Sequence, residues 1–249
     1  MSLAEDANGT CNGNDNGYGN GNGNGNGRNF RLVEGVIDNM PMFREAAATE
    51  RAEIALQSRT RSLRRGGAAC RTGDPMPGIL VVAYGLLKLA LHRPDGEERV
   101  VRFVGPGETF GEAPALLERP SPFDAVALDD TCLVVIPRAP VVRLLERHPT
   151  VARKLVACLA ESYLSLLSEL QALAQYNSVQ RLASYLVSLE PHEARVRLPA
   201  SKTVVAARLS VQKETLSRML RDLSQRGCIR VEGREITILD REQLAGLAT

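Results

Sequence analysis

In "LSVQKETLSRMLRDL", Leu209 to Leu223, the second half repeats with the period of a helix. At 3.6 residues per turn, Leu216, Met219, Leu220 and Leu223 form one apolar stripe, and Glu214, Ser217, Arg218 and Arg221 recur at i, i+3, i+4 and i+7 on the opposite side. Ahead of it, "TVVAARL" supplies a short apolar helix containing Val205, Ala206 and Leu209, followed by a tight turn through Ser210 to Gln212. Behind it, "CIRVEGREITIL" carries two short β runs around Glu232-Gly233, a hairpin signal. Helix, turn, helix and hairpin make a winged helix-turn-helix, with small Ala206 where two helices must come close.

The polar stripe of the second helix then points to base edges in a DNA major groove. There Arg218 can give a bidentate pair to guanine O6/N7, Glu214 can accept from cytosine N4, and Ser217 can bond base or phosphate. Lys213, Thr215 and Arg221 belong to the same candidate surface. Lys202, Arg208, Lys213, Arg221, Arg226, Arg230 and Arg234 surround the motif and can supply the sequence-independent phosphate attraction. The competing reading is an ordinary solvated face, since Glu214 and Arg218 stand i, i+4 and could pair with each other.

Upstream, between about 150 and 177, Val151, Leu155, Leu159, Tyr163, Leu166, Leu170 and Leu173 step by threes and fours through an unusually long helix. A seam this narrow suits a partner helix, so Leu155, Leu159, Tyr163, Leu166, Leu170 and Leu173 are the candidate interface of a homodimer. The alternative is that the helix packs on its own β-domain. A second helix, "SVQRLASYLVSLE", follows it.

Further upstream, from about 60 to 137, the period changes to short apolar runs punctuated by "GGAACRTGDPMPG", "RPDGEE", "GPGE" and "ERPSP". Leu87, Leu89 and Leu91 alternate with Lys88, Ala90 and His92, as in a half-buried strand, and many such short strands mean a sandwich or roll. The fold class is therefore α+β. Its expected divisions are a Gly/Asn-rich disordered tail over 1–29, a β-roll over 30–149, a dimerisation helix over 150–177 and the winged helix-turn-helix over 178–249.

Composition bounds the function. The 249 residues are 44% hydrophobic, enough for a real core, and the net charge of +2 requires any nucleic-acid role to come from local clustering of charge. Five scattered cysteines without a C-x-x-C pair fit neither a disulfide framework nor a structural zinc site. The N-terminus lacks the pattern of a signal peptide, and "GILVVAYGLL" is about half the length needed to cross a bilayer, so a soluble cytoplasmic protein with no membrane partner is expected. No His-x-His with a carboxylate suggests metal catalysis, and Gly105, Gly107 and Gly111 fit neither G-x-G-x-x-G nor a P-loop, so the protein is not expected to be an enzyme.

Over about residues 36 to 248 the chain resembles the CRP/FNR superfamily of bacterial transcription regulators. "GLLKL", "PDGEERVVRF" and "GPGETFGE" resemble its cyclic-nucleotide-binding-like β-roll (jelly roll), and "KETLSRMLRDLSQRGCI" with "GREITILD" its DNA-binding domain. Glu214, Ser217 and Arg218 match the E-x-x-S-R signature of the FNR-like branches, which implies a TTGAT-N4-ATCAA type of palindrome. The implied partners are double-stranded DNA, a second copy of the chain and RNA polymerase. The implied function is that of a regulator answering a small effector.

Three sensor chemistries occur in the superfamily. Cyclic-nucleotide binders use a Gly-Glu pair for the ribose and an Arg-Ser pair for the phosphate. Gly111 and Glu112 match the first pair and mark the effector pocket, but Pro122 and Phe123 stand at the second, so cyclic AMP is not expected to bind. Iron-sulfur members carry an N-terminal cysteine cluster, whereas Cys11 stands alone here, so no iron-sulfur cluster is expected. The C-terminal third looks particularly like the dissimilatory nitrate respiration regulators, which implies nitric-oxide sensing through haem. On that resemblance His192 is the candidate haem ligand, ahead of His92 and His148. A cyclic-nucleotide-responsive regulator, or a ligand-binding roll without specific DNA readout, are the alternatives.

Overall fold

The computed structural model describes residues 26–92, 96–189 and 195–248, so most of the Gly/Asn-rich tail and His192 lie outside the described residues. The chain divides into two compact units. One runs to Leu91 and takes up again at Phe103–Leu159; the other comprises His92–Arg102 and the chain from Ala160.

The first unit opens with α1 (Asn26–Asn39), a short 3-10 turn and α2 (Ala48–Gln57). Neither helix was expected, and α1 begins inside the stretch expected to be tail. Its signal is present in the sequence: Phe30, Val33, Ile37 and Met40 step by threes and fours, and the last three are buried.

The strands are β1 (Arg59–Leu63), β2 (Ala68–Cys70), β3 (Ile79–Tyr84), β4 (Leu87–His92), β5 (Glu98–Val104), β6 (Thr109–Phe110), β7 (Asp124–Ala127) and β8 (Thr131–Ile136), with α3 (Glu112–Leu116) before β7. They form two four-stranded sheets, ordered β1-β8-β3-β6 and β2-β7-β4-β5. β3 and β8 read as unbroken apolar runs because both of their faces are covered. Ile79, Val81, Val134 and Ile136 join the core made with α1, α2 and α4 (Arg138–Arg147), and the alternate residues Leu80, Leu133 and Val135 are buried on the opposite face. In β4 the expected alternation fails at its end. Ala90 is buried and Leu91 is 42% exposed, because pairing with β7 stops at Ala90↔Asp124 and Leu91 runs past it.

α5 (Pro149–Gln175) crosses from the first unit into the second. The second unit continues with α6 (Ser178–Leu189), β9 (Arg195–Arg197), α7 (Lys202–Arg208), α8 (Lys213–Gln225), β10 (Ile229–Glu232), β11 (Glu235–Ile238) and α9 (Arg241–Gly246). β10 and β11 form the expected hairpin, closed by Glu232↔Glu235 with Gly233 in the left-handed conformation, and β9 adds to its other edge. Leu182, Leu186, Val205, Leu216, Leu220, Leu223 and Ile236 are buried in this unit. Each such side chain contributes about 1.5–3 kcal/mol through burial. No helix among the described residues is long and apolar enough to cross a membrane.

Candidate nucleic-acid interface and sensor site

α7 begins at Ser201, whose Oγ accepts from the Val204 amide, and ends at Leu209, whose amide donates to Val205. The chain then reverses through Ser210, a non-glycine residue at φ 55°, while the Val211 amide donates to the Ala206 carbonyl at 3.0 Å. Gln212 is extended and α8 starts at Lys213. This is the tight turn expected between the two helices, and Ala206, 2% exposed, lies beneath it.

The two stripes of α8 separate cleanly. Leu216, Met219, Leu220 and Leu223 are each less than 5% exposed, whereas Lys213, Glu214, Arg218 and Arg221 are exposed and Thr215 and Ser217 are half-buried. Glu214 and Arg218 make no ion pair with each other among the described residues, so nothing within the helix occupies the functional ends of this face. Glu214 in the first turn also suits the positive end of the helix dipole, which costs the surface nothing as a base-reading site.

Two of the cations expected to meet phosphates are engaged elsewhere. Arg208 pairs with Glu169 of α5 at 2.7 Å and its side chain is 22% exposed. Arg234 donates to the Leu198 and Pro199 carbonyls at 3.0 and 2.6 Å. Lys213, Arg221, Arg226 and Arg230 remain exposed around Arg218.

The expected seam of α5 divides into three parts. Leu155, 6% exposed, belongs to the first unit's own core beside Val151, and Leu159 packs partly against it. Leu173, at the other end, is half-buried against α6 and α7. Between them Tyr163, Leu166 and Leu170 are 61%, 54% and 60% exposed, joined by Leu164 at 60% and by Val156 at 65%. Leu155 is thus buried inside the first unit, and the exposed apolar side chains Val156, Tyr163 and Leu170 follow one another at seven-residue steps.

In the roll, Gly111 is left-handed at φ 80° and caps α3, and an added Cβ would collide with the Met76 Cε. Glu112, next to it, is half-buried. The Phe123 ring lies 6.4 Å from that of Phe110, which brings the segment expected to hold a phosphate beside the Gly-Glu pair. That segment is filled by the chain itself. Asp124, 5% exposed, accepts from the Thr72 amide and hydroxyl at 2.8 and 3.0 Å and from Arg71 Nη1 at 2.8 Å. Its neighbour Ser121 is buried and donates to the Phe123 carbonyl at 2.7 Å. Pro122 and the Phe123 ring thus stand at the two positions expected to supply a cation and a hydroxyl, with the buried Asp124 carboxylate next to them.

Two of the three histidines lie among the described residues. His148 Nε2 is bound to Glu50 Oε1 at 2.6 Å, a contact that holds the Glu50 carboxyl below its usual range, and His92 is exposed at the end of β4. Burial pushes the Cys70 thiol up, which keeps it protonated and unreactive; Cys132 and Cys228 are also buried, and Cys158 is exposed on α5.

Residues 60–148 match the cyclic nucleotide-binding domain family and residues 180–247 the Crp-like helix-turn-helix domain family. The chain is 32% identical over 214 residues to a cyclic AMP receptor protein of Thermus thermophilus, an alignment that takes in 84% of this chain and 98% of that one. It is 29% identical over 197 residues to the transcriptional activator protein Anr of Pseudomonas aeruginosa, covering 76% and 80% of the two chains. Its fold is similar to that of FixK2 from Bradyrhizobium japonicum, with a TM-score of 0.70 at 23% identity over 77% of this chain and 98% of that one.

Proposed function

The chain belongs to the CRP/FNR family of DNA-binding transcription regulators, which are not enzymes, and on that premise we propose that it reads an FNR-like palindrome as a homodimer through Glu214, Ser217 and Arg218. The observation that carries this reading is the exposed polar face of α8, unpaired among the described residues, opposite a fully buried stripe. The homodimer is supported by the exposed apolar ridge on α5, since monomers rarely leave contiguous apolar surface of this kind in water. Two α8 helices about 34–36 Å apart would enter successive major grooves on one side of the duplex. Binding of the purified protein to a TTGAT-N4-ATCAA duplex, compared with a scrambled duplex at the same salt, tests it. Equal affinity for both would overturn direct readout.

The effector is not a cyclic nucleotide in this reading, although one relative carries the name cyclic AMP receptor protein. Pro122, Phe123 and the buried Asp124 support that exclusion, because an unneutralised phosphate among apolar groups and a carboxylate is costly to desolvate. Nitric-oxide sensing through haem rests on the resemblance to the nitrate respiration regulators, and among the histidines it passes to His192. An absorption spectrum of the protein with haem, before and after nitric oxide, tests that reading.

A further inference from the structure

Within the second unit, the end of α5 meets α6 and α7 around a cleft of about 190 Å³ whose lining takes no residue from α8. Its lining includes Glu169, Ala172, Leu173, Arg181, Tyr185 and Arg208. Arg208 is paired with Glu169 at 2.7 Å, whereas Arg181, among the described residues, donates to the Tyr176 and Leu209 carbonyls, at 2.7 and 3.3 Å, and to no carboxylate. Two guanidinium groups against one carboxylate leave one positive charge in excess.

The Tyr185 hydroxyl is sealed from solvent and has no hydrogen-bond partner among the described residues. An orphan of this kind costs about 1–3 kcal/mol, and native proteins keep few of them, so its partner is to be sought in something that binds. Burial pushes the phenol up to about 12, with nearby Arg208 pulling the other way, so at neutral pH the group is a donor in want of an acceptor.

We propose that this cleft is a second effector site for a small organic carboxylate with an apolar body. The carboxylate takes Arg208 from Glu169 and accepts from Tyr185, while the body packs on Ala172 and Leu173. A single excess charge suits a monoanion better than a phosphate dianion, and the apolar wall favours a hydrocarbon body over an inorganic ion. Arg208, Glu169 and Tyr185 line the same cleft, so in this proposal separation of the Arg208–Glu169 pair is what uncovers the sealed hydroxyl. The position matters for DNA: Arg208 is the last residue of α7, two before the left-handed Ser210 that leads into α8. Binding itself does not depend on the DNA reading and is measured without DNA.

Benzoate serves as the probe with the full-length protein. Calorimetry gives its affinity, and spectra of the protein labelled in its five tyrosine rings show which ring responds. A saturable shift of the Tyr185 resonance is expected. Glu169→Gln, which removes the competing carboxylate, should tighten benzoate about fivefold, and Tyr185→Phe should weaken it about fivefold. Opposite signs from two neighbouring variants exclude a general loss of folding. The melting temperature of unliganded Tyr185→Phe should be no lower than that of the parent, because its hydroxyl has no partner to lose. No saturable shift at tens of millimolar benzoate, or one dissociation constant shared by all three proteins, overturns the proposal.

Discussion

In the proposed readout, Arg218 is the side chain on which sequence discrimination turns. Its guanidinium is exposed on α8 with no acidic neighbour holding it among the described residues, and a bidentate pair to guanine needs the planar fork. Arg218→Ala should weaken binding to the palindrome by about 1–3 kcal/mol and flatten the preference at the guanine. Arg218→Lys keeps the charge and should still lose the preference, while Arg230→Ala should weaken palindrome and random DNA alike and lower the salt slope by about one. Competition assays at two salt concentrations separate these outcomes; a uniform loss for Arg218→Lys would make it a phosphate contact. The stripe itself was legible in the sequence because its spacing is local. Which cations stay available was not, since Arg208 is claimed by Glu169, 39 residues away, and Arg234 by the Leu198 carbonyl, 36 away.

α5 carries two kinds of apolar side chain in one run of threes and fours, some buried in the first unit's core and some exposed. Leu155→Ala should cost about 2–5 kcal/mol of stability, because it empties a site in the first unit's core, and leave the proposed dimer intact. Leu166→Asp with Leu170→Asp should do the reverse: a folded monomer that holds a full palindrome no better than a half-site. Sedimentation and thermal unfolding of both variants decide this, and a dimeric double-aspartate variant would move the interface elsewhere. Periodicity revealed the helix and its apolar side, but Leu155 and Val156 are adjacent aliphatic residues, and only the packing of α1, α2 and α4 tells which of them faces inward. For the same reason the roll was readable from its turns, whereas α1 and α2 were missed. Their apolar steps are short and sit beside a low-complexity tail, where composition dominates a window of sequence.

A regulator must carry a signal from its sensor to its readout, and here one continuous helix, α5, passes from the first unit into the second. The proposed exclusion of cyclic nucleotides is decided in the roll. The expected phosphate segment presents Pro122, the Phe123 ring against Phe110, and Asp124 already satisfied by Arg71 and Thr72. Cyclic AMP would have to meet that carboxylate without a cation of its own to pair with, so adding it should leave DNA affinity unchanged. Replacing Pro122 by Arg and Phe123 by Ser supplies the missing cation and hydroxyl, and the double variant should bind cyclic AMP at least about tenfold more tightly than the parent. Micromolar binding by the parent, with a gain in DNA affinity, would sink both the placement of Pro122 and the exclusion. The haem reading is decided separately. If it holds, added haem gives a sharp Soret band that nitric oxide shifts, the nitric-oxide form binds the palindrome more tightly, and His192→Ala changes the spectrum while His148→Ala, whose ring is held by Glu50, does not. A spectrum indifferent to His192→Ala would take the axial base away from that position.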